Sequence, residues 1–190
     1  MQHKAEKFST RAKAVASVAA LAAVGAGVTG AVSASAETPA AAPAVASAAV
    51  KGKATATSTH LTVTAATDAA EAALKAAQKE GQRVSVAVVD RNGNTIVTLR
   101  GDGAGPQAYD SAIKKAYTAV SWNSPTSQLV ERLEAAPTLK DIPGTLFLAG
   151  GAPVTYSGAP IAGIGVAGAP SGDLDEKFAQ AGAAAISDGR

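Results

Sequence analysis

The chain has 190 residues, no cysteine and a formal net charge of +2. Disulfide bonds are therefore excluded, and stability must come from a hydrophobic core, a bound ligand or oligomerisation. Four basic residues and one acidic residue lie before residue 37, so the rest of the chain carries 13 basic and 14 acidic residues. That nearly neutral balance argues against a nucleic-acid partner held by bulk electrostatics.

Residues 1–36 have the layout of a secretory signal peptide. A basic start precedes an apolar stretch from Ala14 to Val32, and Ala34-Ser35-Ala36 offers a cleavage site. A membrane anchor is the alternative, but the three glycines of the stretch and its small-residue exit favour cleavage. We therefore expect a secreted protein that is extracellular or associated with the cell wall.

Two regions follow this signal. Residues 37–59 are rich in Ala, Pro, Thr, Ser and Val, which predicts a low-complexity tether. Residues 60–187 have the composition and length of one ordinary domain, and we expect the chain to fold there.

The first half of this domain predicts a helix, a hairpin and two more helices. An Ala- and Leu-rich helix is expected to start at the N-cap Thr64 and to end before Gly81. The stretch RVSVAVVD-RNGN-TIVTLRG predicts a β-hairpin, because an Asn-Gly turn separates two strand-like runs. A second helix covers QAYDSAIKKAYTAVSW, and a short third helix starts at Ser124-Pro125 and ends near Ala136.

The second half predicts three short strands and a final helix. The strands lie between Thr145 and Ala169, and the helix runs from the N-cap Ser171 to Ser187. Together with the hairpin, this order predicts an α+β fold: a five-stranded, mostly antiparallel sheet packed with helices in a single domain.

The last predicted strand contains G-x-G-x-x-G, from Gly163 to Gly168. A dinucleotide-binding fingerprint needs these glycines in the turn between a parallel strand and its helix. Here they lie within the strand pattern, and the helix starts only after Pro170. We therefore expect the glycines to let a helix or a neighbouring subunit approach the sheet closely.

The second helix has two distinct faces. The first is the expected core face and consists of Tyr109, Ile113, Ala116 and Val120. The opposite face carries Ser111, Lys115, Thr118 and Trp122. It indicates a plain surface helix, a subunit interface, or the wall of an apolar pocket that suits a flat ligand with carboxylates.

Conventional catalysis finds little support in the sequence. There is no cysteine nucleophile, no G-x-S-x-G elbow and no HExxH zinc motif, and His60 is the one histidine after residue 36. Three acidic pairs are spaced one helical turn apart and could bind a hard cation such as ferric iron. They are Asp68/Glu71, Glu131/Glu134 and Asp173/Glu176. Such pairs are usually solvated, and Asp68 and Glu71 are our candidate iron ligands.

Several short motifs occur in a familiar order: VAVVDRNGN, LRGDGAGPQAYDSAIKKAYTA, SPTSQL, AGGAPV and IAGIGVAGAPSGDLDEKFAQAG. From Leu61 to Ile186 the chain resembles the GlcG/HbpS-like haem-binding family, especially its secreted branch. The resemblance implies an antiparallel five-stranded sheet and a ring-like homo-oligomer, an octamer. It also implies binding of haem and iron, haem degradation under oxidative conditions, and communication with a membrane sensor histidine kinase.

The resemblance also suggests which residues bind haem. Haem iron is commonly ligated by His, Cys, Met or Tyr, but the secreted branch is associated with a threonine, and Thr118 is the best candidate. Lys115 and Trp122 share its helix face, and Arg100 and Lys115 are expected to pair with haem propionates. His60 is the alternative iron ligand.

Two rival hypotheses remain. The first is an enzyme or binding module for a small metabolite in a pocket near Arg100–Gly105, and the second is a purely structural secreted oligomer.

Overall fold

The computed structural model describes residues 48–187, so the predicted signal peptide and the first part of the predicted tether lie outside the described residues. From Val50 onward the described chain forms one compact unit. Its α-helices are α1 Val63–Lys79, α2 Pro106–Trp122, α3 Thr126–Ala135 and α4 Gly172–Ala185. Its strands are β1 Ser85–Asp90, β2 Thr95–Arg100, β3 Gly151–Tyr156 and β4 Ala159–Ala167. Within residues 48–187, no helix is long and apolar enough to cross a membrane.

The strands form one sheet in the order β2-β1-β4-β3, and every neighbouring pair is antiparallel. The α+β class, the single domain, the antiparallel sheet and the hairpin are confirmed. The prediction of five strands is wrong, because the described sheet has four.

The missing strand is the one predicted at Thr145. Residues 145–150 contain no strand. The backbone N–H groups of Thr145 and Leu148 bond to nearby carbonyls, and Leu146 and Phe147 contact α2. The backbone N–H of Leu146 donates to Oγ1 of Thr118 at 2.8 Å, and Phe147 packs on Trp122. Tertiary contacts therefore outweigh the strand propensity of this stretch.

Helix starts follow local capping. The hydroxyl of Thr62 accepts from the backbone N–H of Ala65 at 3.2 Å, so α1 is capped two residues before the predicted Thr64. The prediction for α4 is confirmed, because Ser171 is its N-cap and accepts from the N–H of Leu174 at 3.2 Å.

Helices cover both faces of the sheet. Val84, Val86 and Val88 pack with α1 and α4 in the main core, which includes Phe178. The alternate residues of β1 project to the opposite face, where α2 packs against Ala87 and Val89 through its own small side chains.

Glycines in β4 allow α2 to lie close to the sheet. A Cβ on Gly163 would collide with the carbonyl oxygen of Ala116, and a Cβ on Gly165 with that of Ala112. The expectation that these glycines admit a close helix is therefore confirmed. The predicted core face of α2 is correct for Ala116 and Val120, but Tyr109 is 41% exposed.

Candidate functional site

Three predicted site residues on α2 lie together under a piece of irregular chain. Lys115 and Thr118 are buried and Trp122 is half-buried. Residues 145–150, which we call the covering segment, lie over them. The rings of Phe147 and Trp122 meet edge to face with their centroids 5.2 Å apart. This face is therefore part of the protein interior and not the wall of an open pocket.

The hydroxyl of Thr118 is fully engaged by the backbone. It donates to the carbonyl oxygen of Lys114 at 2.7 Å and accepts from the N–H of Leu146 at 2.8 Å. For Thr118 to ligate haem iron, Leu146 would have to give up this bond. The role of Thr118 in haem binding stays a prediction.

Lys115 is neutralised inside the protein. Its Nζ donates to Oδ2 of Asp175 on α4 at 2.8 Å. Oδ1 of Asp175 accepts from the N–H of Ala169 at 3.0 Å. Burial raises the pKa of the Asp175 carboxyl, and the opposing hydrogen bond and charge of Lys115 do not cancel this rise. Lys115 therefore already has a carboxylate partner, which makes it a poor match for a propionate.

Gly150 fits against this ion pair. Its φ is +131°, a region that favours glycine, and a Cβ there would lie 2.6 Å from Nζ of Lys115. The end of the covering segment is thereby held directly over the buried ammonium group.

Glu176, next to Asp175, organises the neighbouring backbone. Its carboxylate accepts from the N–H of Gly150 at 3.2 Å and from the N–H of Ser127 at 2.9 Å, and it also accepts from the hydroxyls of Thr126 and Ser127. Helix α3 starts after Pro125, which has no capping side chain. Glu176 therefore caps α3 from another helix.

Sequence reasoning missed the burial of these two acids. It placed Glu176 in the acidic pair Asp173/Glu176, of a kind that is usually solvated, and it assigned no role in the interior to Asp175. The available signal was the helical spacing of Asp175 with Phe178, Ala179 and Gly182, all of which are buried.

Arg100 lies at the other end of α2, beside residues 101–105, which we call the arginine loop. Its Nη2 donates to the carbonyl oxygen of Ala104 at 3.1 Å, and its side chain is exposed. Thr118 is twelve residues beyond the helix start at Pro106, which is roughly 18 Å along the axis. The structure does not bring Arg100 together with Thr118.

His60 occupies a third place. It is exposed, and its Nε2 lies 2.6 Å from Oγ of Ser58. Its charge acts on Asp90, the last residue of β1. Partial burial acts to raise the pKa of Asp90, but hydrogen bonds from Asn94 and Asn92 and the charge of His60 outweigh it, so that pKa is lowered.

The predicted iron ligands lie on the outer surface of α1. Asp68 and Glu71 are both exposed, and Glu71 accepts from Nζ of Lys75 at 3.2 Å. Within residues 48–187, no three His, Asp or Glu side chains are grouped closely enough to hold a metal ion. This pair could supply two oxygen ligands and would need others from water or a second molecule.

Two cavities lie in the described unit, and the smaller one borders the covering segment. The larger, about 420 Å³, is next to Leu61 and Tyr156, between β3 and the end of α4. The smaller, about 290 Å³, is lined by the exposed apolar side chains of Val130 and Leu148. Both volumes are near the lower part of the range of small-molecule sites.

Comparison with known proteins places this geometry in a family. Residues 61–184 match the model of a family described as haem degrading protein, HbpS-like. The crystal structure of a double mutant of Streptomyces reticuli HbpS, in which two glutamates are replaced by aspartate, is 71% identical. The similarity covers 77% of this chain and 100% of that chain, with a TM-score of 0.75.

Two more distant relatives are also similar. The crystal structure of a PduOC:haem complex is 27% identical and covers 67% of this chain and 95% of that chain, with a TM-score of 0.62. A Citrobacter freundii protein, described as an uncharacterized 15.0 kDa protein in the dhaT-dhaS intergenic region, is 31% identical over 90 residues. That match covers 45% of this chain and 63% of the relative, so the chain spans less than two thirds of that curated protein.

Proposed function

Because the chain belongs to the HbpS-like family of haem-degrading proteins, we propose that it binds haem. The observation that carries the proposal is the family match over residues 61–184. This match covers the four strands and the four α-helices, except for the last residue of α4. The similarity to PduOC, which was crystallised with haem, supports it further.

The residues present fit haem in two alternative ways. Thr118 and Trp122 could contact haem after the covering segment lifts, whereas Arg100 is exposed and could hold a propionate without any rearrangement. We treat them as alternatives, because the start of α2 beside Arg100 and Thr118 are separated by roughly 18 Å along the helix axis. His60 remains the alternative iron ligand and is also exposed.

Titration with haemin tests the proposal. Haemin added to the purified chain should produce a Soret band that is shifted from that of free haemin and saturates at a fixed stoichiometry. Absence of any Soret change would contradict the proposal. It would favour the rival hypothesis of a small-metabolite module near Arg100–Gly105.

We propose that the protein also degrades haem under oxidative conditions. Bound haem supplies a redox-active iron that reacts with peroxide, and the chain's own residues would orient the macrocycle and limit its contact with water. The Soret band of the complex should then decay in hydrogen peroxide faster than it does with an equimolar amount of bovine albumin as the haem carrier.

Iron binding, export and signalling complete the proposal. Asp68 and Glu71 offer an exposed pair of carboxylates to ferric iron, and residues 1–36 have the pattern of an export signal. We propose that the exported protein reports haem or iron to a membrane sensor histidine kinase.

Iron binding by Asp68 and Glu71 can be tested by replacing both acids. The double variant Asp68→Asn with Glu71→Gln should retain less ferric iron than the wild type after gel filtration.

We also propose that the chain forms a homo-oligomer, an octamer. Val130 and Leu148 are 37% and 54% exposed and line one cavity. We place this apolar pair in the contact between subunits, because assembly would remove both side chains from water.

A further inference from the structure

Two arginines border the arginine loop. Arg100 donates from Nη2 to the carbonyl oxygen of Ala104 at 3.1 Å. Arg83 lies against Gly103, the residue before Ala104. The Cδ and Nε atoms of Arg83 are 2.9 Å and 3.4 Å from the point that a Cβ of Gly103 would occupy. Because Cα atoms of neighbouring residues are about 3.8 Å apart, the two guanidinium groups share one short stretch of surface.

Gly103 keeps this place open for Arg83. Its φ is +74°, which side-chain-bearing residues rarely adopt, and any Cβ would displace the arginine stem. The absence of a side chain at Gly103 therefore leaves room for the stem of Arg83 next to the loop.

Neither arginine beside the loop takes part in an ion pair within the described residues. The three ion pairs among residues 48–187 join other side chains, so neither Arg83 nor Arg100 has a carboxylate within 4.0 Å in that part of the chain. Asp102 is the one acid of the loop, and it is exposed. Helix α2 begins here with Gly105 as N-cap, no capping side chain and no acid in its first turn. The positive end of its dipole adds to the two guanidinium groups.

Unsatisfied hydroxyls lie beside Arg100. Ser85 faces Arg100 across the β1–β2 pair and is fully buried, and its Oγ has no hydrogen-bond partner. Thr98 is two residues before Arg100 on the same face of β2, and its buried Oγ1 also has no partner. Buried hydroxyls without partners are rare because they cost free energy. Because both hydroxyl oxygens are buried, a water or a ligand oxygen reaches them only if the structure opens locally at Arg100.

An aromatic surface adjoins the same loop. Tyr109, Ile113 and Tyr117 are spaced four residues apart, so they lie on one side of α2. Tyr117 lies against Gly93 in the β1–β2 turn, with its Cε2 2.7 Å from the position of a Cβ there. This side of α2 is therefore directed towards the β1–β2 hairpin. Tyr109 lies on the same side, in the first turn of α2 after the arginine loop, and is 41% exposed.

We propose that Arg83 and Arg100 form a binding site for a flat ligand that carries two carboxylates, with Tyr109 beside its apolar part. This inference rests on the proposed function, in which that ligand is haem and the carboxylates are its propionates. Guanidinium groups are suited to this task because their planar N–H pairs match a carboxylate. The site replaces Lys115, which is already paired with Asp175, as the second cation.

Haemin and its dimethyl ester distinguish this site from general haem affinity. The full chain is titrated with each ligand at low salt in the same detergent, for the wild type, Arg83→Ala, Arg100→Ala and the double variant. Exposed ion pairs contribute modestly, so we expect each replacement to weaken haemin binding roughly two- to fivefold. We expect the ester to bind more weakly than haemin and to be unaffected by the replacements. Arg83→Lys and Arg100→Lys should keep part of the haemin affinity, and Arg132→Ala on α3 is the matched control.

Three outcomes distinguish a failure of the arginine site from a failure of the proposed haem binding. If haemin shifts the Soret band but binds equally well to the wild type and the double variant, the arginine site is wrong and the proposed function survives. Equal losses for haemin and the ester also overturn the site, because they indicate an apolar or structural role. If neither ligand changes the Soret band of the wild type, the proposed function and the arginine site fall together.

Discussion

Lys115 and Asp175 form an ion pair between helices on opposite faces of the sheet. The Nζ to Oδ2 distance is 2.8 Å, and the two side chains are only 5% and 4% exposed. Lys115 belongs to α2 and Asp175 to α4, so the pair links a helix of one layer to a helix of the other. Removing one member leaves a buried charge without its partner.

The first prediction is a non-additive mutant cycle. Lys115→Met and Asp175→Leu should each lower the free energy of unfolding by about 3–5 kcal/mol, because each leaves one buried charge unpaired. The double variant should recover most of this loss, since no charge then remains to be solvated. Urea unfolding followed by Trp122 fluorescence measures the cycle. Additive losses would show that the two groups do not interact.

The second prediction concerns pH. Burial raises the pKa of Asp175 above the usual 3.8. Between pH 3.8 and this raised pKa, the carboxyl is still protonated in the folded state but has released its proton in the unfolded state. The contribution of Asp175 to the free energy of unfolding is therefore full below pH 3.8 and is lost as pH rises through the raised pKa. The Asp175→Asn variant should lack this decrease. Asp90 has the opposite effect at lower pH. Because its pKa is lowered in the folded state, its contribution to the free energy of unfolding is present above pH 3.8 and is lost only as the pH falls through the lowered pKa. Identical pH profiles above 3.8 for the wild type and Asp175→Asn would refute the assignment.

The third prediction tests the close approach of α2 to the sheet. Gly165→Ala should lower the free energy of unfolding by about 3 kcal/mol, because the new Cβ collides with the backbone of Ala112 and neither strand nor helix can yield easily. Gly52→Ala is the control, since a Cβ at Gly52 meets nothing within 4 Å. A stability equal to that of the control would mean that α2 can move away from β4 at little cost.

The fourth prediction separates the structural role of Thr118 from its role in haem binding. Thr118→Val should lower the free energy of unfolding by about 1–3 kcal/mol, because the N–H of Leu146 loses its acceptor. Thr118→Ser keeps the hydroxyl and is the matched control. If Thr118 ligates iron, the Soret maximum should differ between these two variants. An unchanged maximum in both, with a changed one in His60→Ala, would assign the iron to the imidazole.

The fifth prediction addresses assembly. Leu148→Asp should reduce the molar mass measured by light scattering, because it places a charge within the exposed apolar pair at the 290 Å³ cavity. Val63→Asp is the control, because Val63 is 67% exposed and lies elsewhere, at the start of α1. A monomeric wild type would contradict the octamer. An unchanged mass for Leu148→Asp would exclude this surface from the interface.

Local patterns predicted most of the secondary structure. The Asn-Gly turn and its flanking strands are present, with Gly93 at a φ of +89°, and Ser171 caps α4 as expected. These features depend on residues close together in the sequence, so a short window contains the information.

Long-range pairing is what the sequence could not show. Lys115 and Asp175 are 60 positions apart, and nothing local indicates that these two charges meet inside the protein. The predicted fifth strand failed for the same reason, because Leu146 bonds to Thr118, 28 positions away. Arg83 was overlooked because its contact with Gly103 depends on how the loop folds back towards β1.

The cap that Glu176 provides for α3 has a consequence for how the chain folds. Helix α3 has no local cap at Pro125, and its first turn is completed by a carboxylate about 50 positions later. The same carboxylate holds Gly150 at the end of the covering segment. Contacts this distant in sequence carry an entropic cost, because the intervening chain must be closed into a loop. A chain truncated before Glu176 would therefore lack both the cap of α3 and the carboxylate that accepts from the N–H of Gly150.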